Sequence, residues 1–271
     1  MKTPRIAAAA ALALAPLAAA ALPANAASDA TVSILHAVPG AKVDVYVNGK
    51  ALLTNFKPGT LTDPQMLPAG TYDLKVTAAG AGPSGKAIMQ ANGVKVPAGA
   101  NITVVAHLDA SGTPELTPYV NDTSMVPAGQ ARVTVRHDAA APAVDVRAGG
   151  TPVFKNLTNP NEAKGAVPAG TVKADVVLAG TSTVVIGPAD LMLKEGTNTV
   201  VYAWGSANDK NLKLAVQTIG GMHSAPGGVP AGEGGQAQAL SDLARYAGIG
   251  GAAALAAGAV LLARRRAVPT R

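Results

Sequence analysis

The chain has 271 residues, 48% of them apolar, 14% charged and 3% aromatic, with 30 glycines, 20 prolines and no cysteine. That length allows one or two domains at roughly 100–200 residues each, and the lack of cysteine excludes disulfides, thiolate metal sites and cysteine nucleophiles. The formal charge of +6 belongs to the two ends, because residues 27–240 carry fifteen Lys and Arg against fifteen Asp and Glu. A neutral body with so few aromatics argues against a nucleic-acid partner.

Residues 1–26 read as a signal peptide. Lys2 and Arg5 precede an Ala/Leu run from Ala7 to Leu22, and Ala24 and Ala26 form the A-x-A pattern of a cleavage site. No twin-Arg pair is present, so general secretion is expected.

The body then repeats itself. TVSILHAVPGAKVDVYVNG (31–49) aligns with RVTVRHDAAAPAVDVRAGG (132–150) at a shift of 101. Pro68-Ala69-Gly70-Thr71 meets Pro168-Ala169-Gly170-Thr171 at a shift of 100, and the strand candidate beginning at Asn101 meets the one at Asn198 at a shift of 97. A drifting shift in preserved order indicates a duplicated domain with loops of different length. The copies are placed at 27–126 and 127–223, each large enough for its own core. Within each copy the hydrophobic period is two. Val43, Val45 and Val47 share one face, and Asn48-Gly49 supplies the positive-φ pair of a type I′ hairpin. Thr71–Val76 and Thr171–Val177 are short strand candidates, and Asn101–Leu108 and Thr197–Trp204 are more continuously apolar ones. Pro-Ala-Gly at 68, 97, 127, 168 and 230 suits type I turns. Six or seven short strands per copy predict an all-β protein of two tandem antiparallel, Ig-like β-sandwiches.

The run from His36 to Gly49, followed by Leu67-Pro68-Ala69-Gly70-Thr71-Tyr72, resembles the bacterial domain-of-unknown-function family 4397. The second copy keeps His137, Val144-Asp145-Val146 and Pro168-Ala169-Gly170-Thr171, but has Arg147 where Tyr46 stands and Gly149-Gly150 for Asn48-Gly49. The resemblance implies a secreted or envelope β-domain, often in tandem, and transfers no catalytic residue.

The most pointed polar feature is His36 with Asp44, duplicated as His137 with Asp145. Each pair is a candidate general base or half of a metal site. The competing reading is a structural hydrogen bond at a strand corner. Zinc takes three or four protein ligands, and the remaining histidines are His107, which becomes Trp204 in the second copy, and His223. The structural reading is therefore preferred. Asp109–Glu115 reads as a hairpin loop, because it lacks the alternating carboxylates of a calcium loop. There is no G-x-S-x-G, P-loop or H-E-x-x-H motif. No catalytic, cofactor-binding or metal-binding residue is assigned, and no cofactor is expected.

Residues 224–245 read as a flexible Gly/Pro/Ala-rich linker. Residues 246–263 follow with no charge and, at about 1.5 Å per residue, span about 27 Å, enough for a transmembrane helix. Arg264, Arg265 and Arg266 open a basic tail (264–271) that holds the C-terminus in the cytoplasm and leaves the body outside. No LPxTG-type pentapeptide precedes the helix, so a single-pass membrane protein is expected rather than covalent cell-wall attachment. The expected function is a non-enzymatic cell-surface protein for binding, adhesion or envelope structure. Its expected partners are the membrane and a cell-wall or extracellular polymer. The alternative is a surface hydrolase or a glycan- or peptide-binding protein acting on envelope polymers.

Overall fold

The computed structural model describes residues 28–223. The expected signal peptide, linker, transmembrane helix and basic tail lie outside the described residues. Within them the chain forms sixteen strands and no helix. In the N-terminal half these are β1 (Ala30–His36), β2 (Val43–Val47), β3 (Lys50–Phe56), β4 (Gln65–Leu67), β5 (Gly70–Ala78), β6 (Ala87–Val96), β7 (Asn101–Leu108) and β8 (Pro114–Val120). The C-terminal half follows with β9 (Gln130–Ala140), β10 (Val144–Ala148), β11 (Thr151–Leu157), β12 (Glu162–Pro168), β13 (Gly170–Leu178), β14 (Val184–Leu193), β15 (Asn198–Ser206) and β16 (Lys213–Ile219).

Each half pairs one four-stranded sheet with another. β4-β1-β7-β8 faces β3-β2-β5-β6, and β12-β9-β15-β16 faces β11-β10-β13-β14. The topology is therefore the same twice. Eight strands per half exceed the six or seven expected, and the extra ones have weak signals for physical reasons. β4 has only three residues. Gly93 at φ 68° breaks the alternation of β6 with a shift in register against β5. Pro114 and Pro118 lie in β8, which runs along a sheet edge where a missing N–H costs little.

The sheets are not wholly antiparallel. β1 runs parallel to β7 from Thr31↔Asn101 to His36↔Ala106, and β9 runs parallel to β15. Between β1 and β7 the chain visits the facing sheet, which supplies the long connection that a parallel pair requires. Asn48 and Gly49 take φ of 49° and 75° and close the β2–β3 hairpin as their sequence predicts, and Gly149 and Gly150, at 56° and 81°, close β10–β11 in the same way. The Pro-Ala-Gly at 68 instead carries the chain from β4 in one sheet to β5 in the other, as its counterpart at 168 does between β12 and β13. The turn that begins at Pro230 lies outside the described residues.

Inward residues of facing sheets form the cores. In the N-terminal half one cluster holds Ile34, Val43, Val45, Phe56 and Val76, and a second holds Val32, Leu74, Val96, Ile102 and Val104. In the C-terminal half the first cluster recurs as Val135, Val144, Val146, Leu157, Val176 and Val201. A further core joins the halves. The outward faces of the β1–β7 and β9–β15 sheets meet through Leu35, Val105, Tyr119, Tyr202, Trp204 and Ile219. The two copies thus share a continuous apolar seam between sheets rather than standing apart on a tether.

Candidate functional site

His36 and Asp44 lie at one end of the N-terminal sandwich and do different jobs. The His36 Nε2–H donates to the Ala41 carbonyl at 3.2 Å, and the Val38 N–H points at Nδ1 at 3.4 Å. The ring thereby braces the loop between β1 and β2. Asp44 instead accepts the N–H groups of Asn55 and Gly80, both at 2.8 Å. Asn55 sits at φ 53°, so the carboxylate holds a strained backbone corner of β3. The second copy repeats this arrangement. His137 donates to the Pro142 carbonyl at 3.0 Å, and Asp145 accepts from Asn156 at 2.7 Å and Gly180 at 3.0 Å, with Asn156 also at φ 53°.

Histidine and aspartate therefore bond separate backbone segments rather than each other. Two backbone N–H donors hold each carboxyl below the usual carboxylate range, and burial lowers the pKa of both imidazoles. Each carboxylate oxygen thus accepts one backbone N–H, and burial disfavours the charged form of both imidazoles.

The other polar sequences are also engaged locally. Asp109 Oδ1 accepts from the N–H groups of Ser111 and Thr113, both at 2.8 Å, and from the Ser111 hydroxyl at 2.7 Å, which closes the β7–β8 loop. His107 is fully buried between the Leu108 carbonyl and the Thr117 hydroxyl. His223 bridges to Val126, where the described body ends. Among the described residues no group of three or more His, Asp or Glu side chains is placed to hold a metal ion.

The densest polar cluster lies in the seam, and it was not singled out in the sequence. Arg136, 1% exposed, donates to Glu162, to the Tyr202 hydroxyl and to Asn121 Oδ1, each at 2.9 Å. Its guanidinium lies 4.2 Å from the Tyr119 ring centroid. Thr103 of the first copy donates to Gln217 of the second at 2.9 Å. Beside them the Tyr119 hydroxyl stands 2.6 Å from Asp138 Oδ1 and 2.7 Å from the Pro160 carbonyl. A phenol has one proton and cannot donate to both. Below about pH 6 a protonated Asp138 resolves this, donating to Tyr119 while Tyr119 donates to Pro160; above it the phenol proton goes to the carboxylate. Burial pushes the Asp138 carboxyl up to about 6, and its Oδ2 finds no partner among the described residues. The sequence signal was the alternation Arg132, Thr134, Arg136, Asp138 along β9. It marks an outward face that is too polar for an inner core and that the seam buries.

The cavities lie between the sheets; the first reaches His36, whereas the second is lined by neither His137 nor Asp145. In the first copy the space is about 280 Å³ and in the second about 540 Å³. The difference follows from residues at matched positions. Val47, Tyr72 and Leu74 become Ala148, Val172 and Ala174. Val32 and Leu74 are 8% exposed, whereas Val133 and Ala174 are only partly buried, and the second apolar cluster of the first copy has no counterpart. The wider cleft reaches the edge strands through Val153 and Phe154 on β11 and Gly165 and Val167 on β12. The repeat alignment contained this signal, as a loss of side-chain volume at three inward positions.

No curated protein matches the chain by sequence. Among solved structures it is similar to the TIE protein of Bacillus anthracis, at 14% identity and a TM-score of 0.21, over 69% of this chain and 34% of that one. The chain thus spans about a third of that protein. It is also similar to CBMbc, a family CBM26 module from Eubacterium rectale Amy13K in complex with maltoheptaose, at 11% identity and a TM-score of 0.23, over 73% of this chain and 98% of that one. At these TM-scores neither likeness bears on what the chain does. Residues 30–147 match the family described as a domain of unknown function (DUF4397), a match that spans the first copy and the start of the second.

Proposed function

We propose that the chain is an exported, single-pass membrane protein that displays a non-enzymatic binding body on the outside of the cell. The leader, the uncharged stretch 246–263 and the arginines after it support the export and the orientation. The observation that carries the non-enzymatic reading is the duplicated loop lock. Both His/Asp sets, the best candidates for acid–base chemistry, are bonded to backbone in the same way in each copy. Apolar space lies between the sheets of both copies, and the larger cleft is in the second. Tyr46, Tyr119, Tyr202 and Trp204 are buried, so they offer no stacking surface for sugars.

Protease treatment of intact cells, followed by fractionation, tests the topology. Cleavage of the body from outside, with a C-terminal fragment left in the membrane, is expected. Recovery of the intact body from the cytosol contradicts the proposal. Hydrolysis of purified cell-wall polymers that is lost in His36→Ala or His137→Ala, without loss of fold, contradicts the non-enzymatic part.

A further inference from the structure

We propose that the cleft of the C-terminal copy holds a single long acyl chain, that of a fatty acid. This deepens the binding role proposed above and rests on it. The lining is mostly aliphatic, with Phe154, Thr171 and one self-contained ion pair among it. Arg147 and Asp175 grip each other through two bonds of 2.6 and 2.7 Å, so each charge is neutralised by the other. A polar ligand would lose its hydration there without compensation, whereas an alkyl chain loses only unfavourable contact with water.

Size selects one chain. About 540 Å³ lies within the range of small-molecule sites. A site of this size suits one alkyl chain better than the two of a diacyl lipid. Shape agrees with size. Facing sheets stand about 10 Å apart, so the cleft is a slot one side-chain layer deep. An alkyl chain would occupy the room that the larger Val47, Tyr72 and Leu74 take up beside the smaller space of the first copy. Half-exposed Val153 marks the rim, and the wall residues Val133 and Ala174 are left partly uncovered.

The test uses the full chain in membrane vesicles and a palmitate analogue with a mid-chain diazirine and a terminal alkyne. After irradiation and digestion, adducts are expected on peptides containing Val133, Gly165–Val176 and Leu191, competed by unlabelled palmitate, with none on the matching peptides of the first copy. Combining Ala148→Val, Val172→Tyr and Ala174→Leu installs the first copy's own side chains and should cut these adducts by about tenfold or more through steric exclusion. The melting temperature of that variant checks its fold. If it does not fold, the reciprocal pair Val47→Ala and Leu74→Ala should create adducts in the first copy. Equal labelling of both copies, labelling that palmitate does not compete, or labelling that survives the filled cleft overturns the inference. Adducts on 246–263 report the membrane segment separately. Labelling there but not in the cleft removes the acyl ligand and leaves the anchored reading standing; labelling of the cleft alone does the reverse.

Discussion

In the N-terminal half Val47, Tyr72 and Leu74 narrow the far end of the space between facing sheets, and Ile102 packs beneath them. At the same register the C-terminal half has Ala148, Val172, Ala174 and Thr199, and the space stays open. The opposite ends of the two halves scarcely differ. His36 and His137 brace the same loop, and Asp44 and Asp145 accept the same pair of backbone N–H groups. Each sandwich is thus held at one end by polar bonds to backbone, which fix the path of the chain. At the other end only side-chain volume matters, and there the copies have diverged. A duplicated fold can open a pocket in one copy without disturbing its frame, provided that the frame is secured elsewhere.

The largest effect is expected where the halves meet. Arg136→Ala leaves Glu162, Asn121 and Tyr202 without their shared donor and should cost about 3–5 kcal/mol in urea unfolding. Its counterpart Leu35 belongs to the same seam, so a loss confined to the C-terminal half would break the picture of one continuous seam. Next comes the filling itself. Leu74→Ala should cost about 2–5 kcal/mol by opening a packed core. Ala174→Leu should be neutral or stabilising by up to about 2 kcal/mol, because it fills existing space. Similar losses from both changes would mean that the two clefts do not differ in the folded protein.

The seam also predicts a pH dependence. The folded-state pKa of Asp138 is raised to about 6, chiefly by burial, with His107, Arg136, Tyr119 and Glu115 as its charged or polar neighbours. A raised carboxyl contributes stability that is complete below its unfolded pKa near 3.9 and is lost as pH rises through about 6. Asp138→Asn should therefore gain on the native protein by ~3 kcal/mol between pH 4 and pH 7.5 in denaturant titrations. The loop locks act with opposite sign. Burial depresses His36 and His137, so their contribution is present above about 6.5 and falls as pH drops through their folded values. Asp44 and Asp145 are depressed as well, and their contribution is lost only below about 3.9. His36→Ala and His137→Ala should each cost about 1 kcal/mol at pH 8 and less at pH 5. Unequal costs would show that the two locks are not equivalent.

β2, β5 and their repeats could be read from the alternation around Val43 and Leu74, and β7 and β15 from continuous apolar runs, because both their faces are buried. The edge strands could not. Pro118 in β8 and Gly93 in β6 interrupt the signal at positions where the sheet tolerates interruption. The parallel pairing of β1 with β7 has no local signature, since register between distant strands is set by packing. His36 and Asp44 were visible as a pair because they recur. Their bonds were not, because each side chain answers to backbone groups that come near only after the loops close. The seam was hidden for a similar reason. Arg136 and Tyr202 resemble solvent-facing residues of a strand until a second sheet covers them.

The claim that the copies differ in filling is tested most directly by methyl NMR of the 28–223 body titrated with decanoate. Saturable shifts are expected for Val133, Val167 and Leu191, while Val32, Leu67 and Val94 at the matching positions stay fixed. Shifts of equal size in both sets, or in neither, would contradict the account.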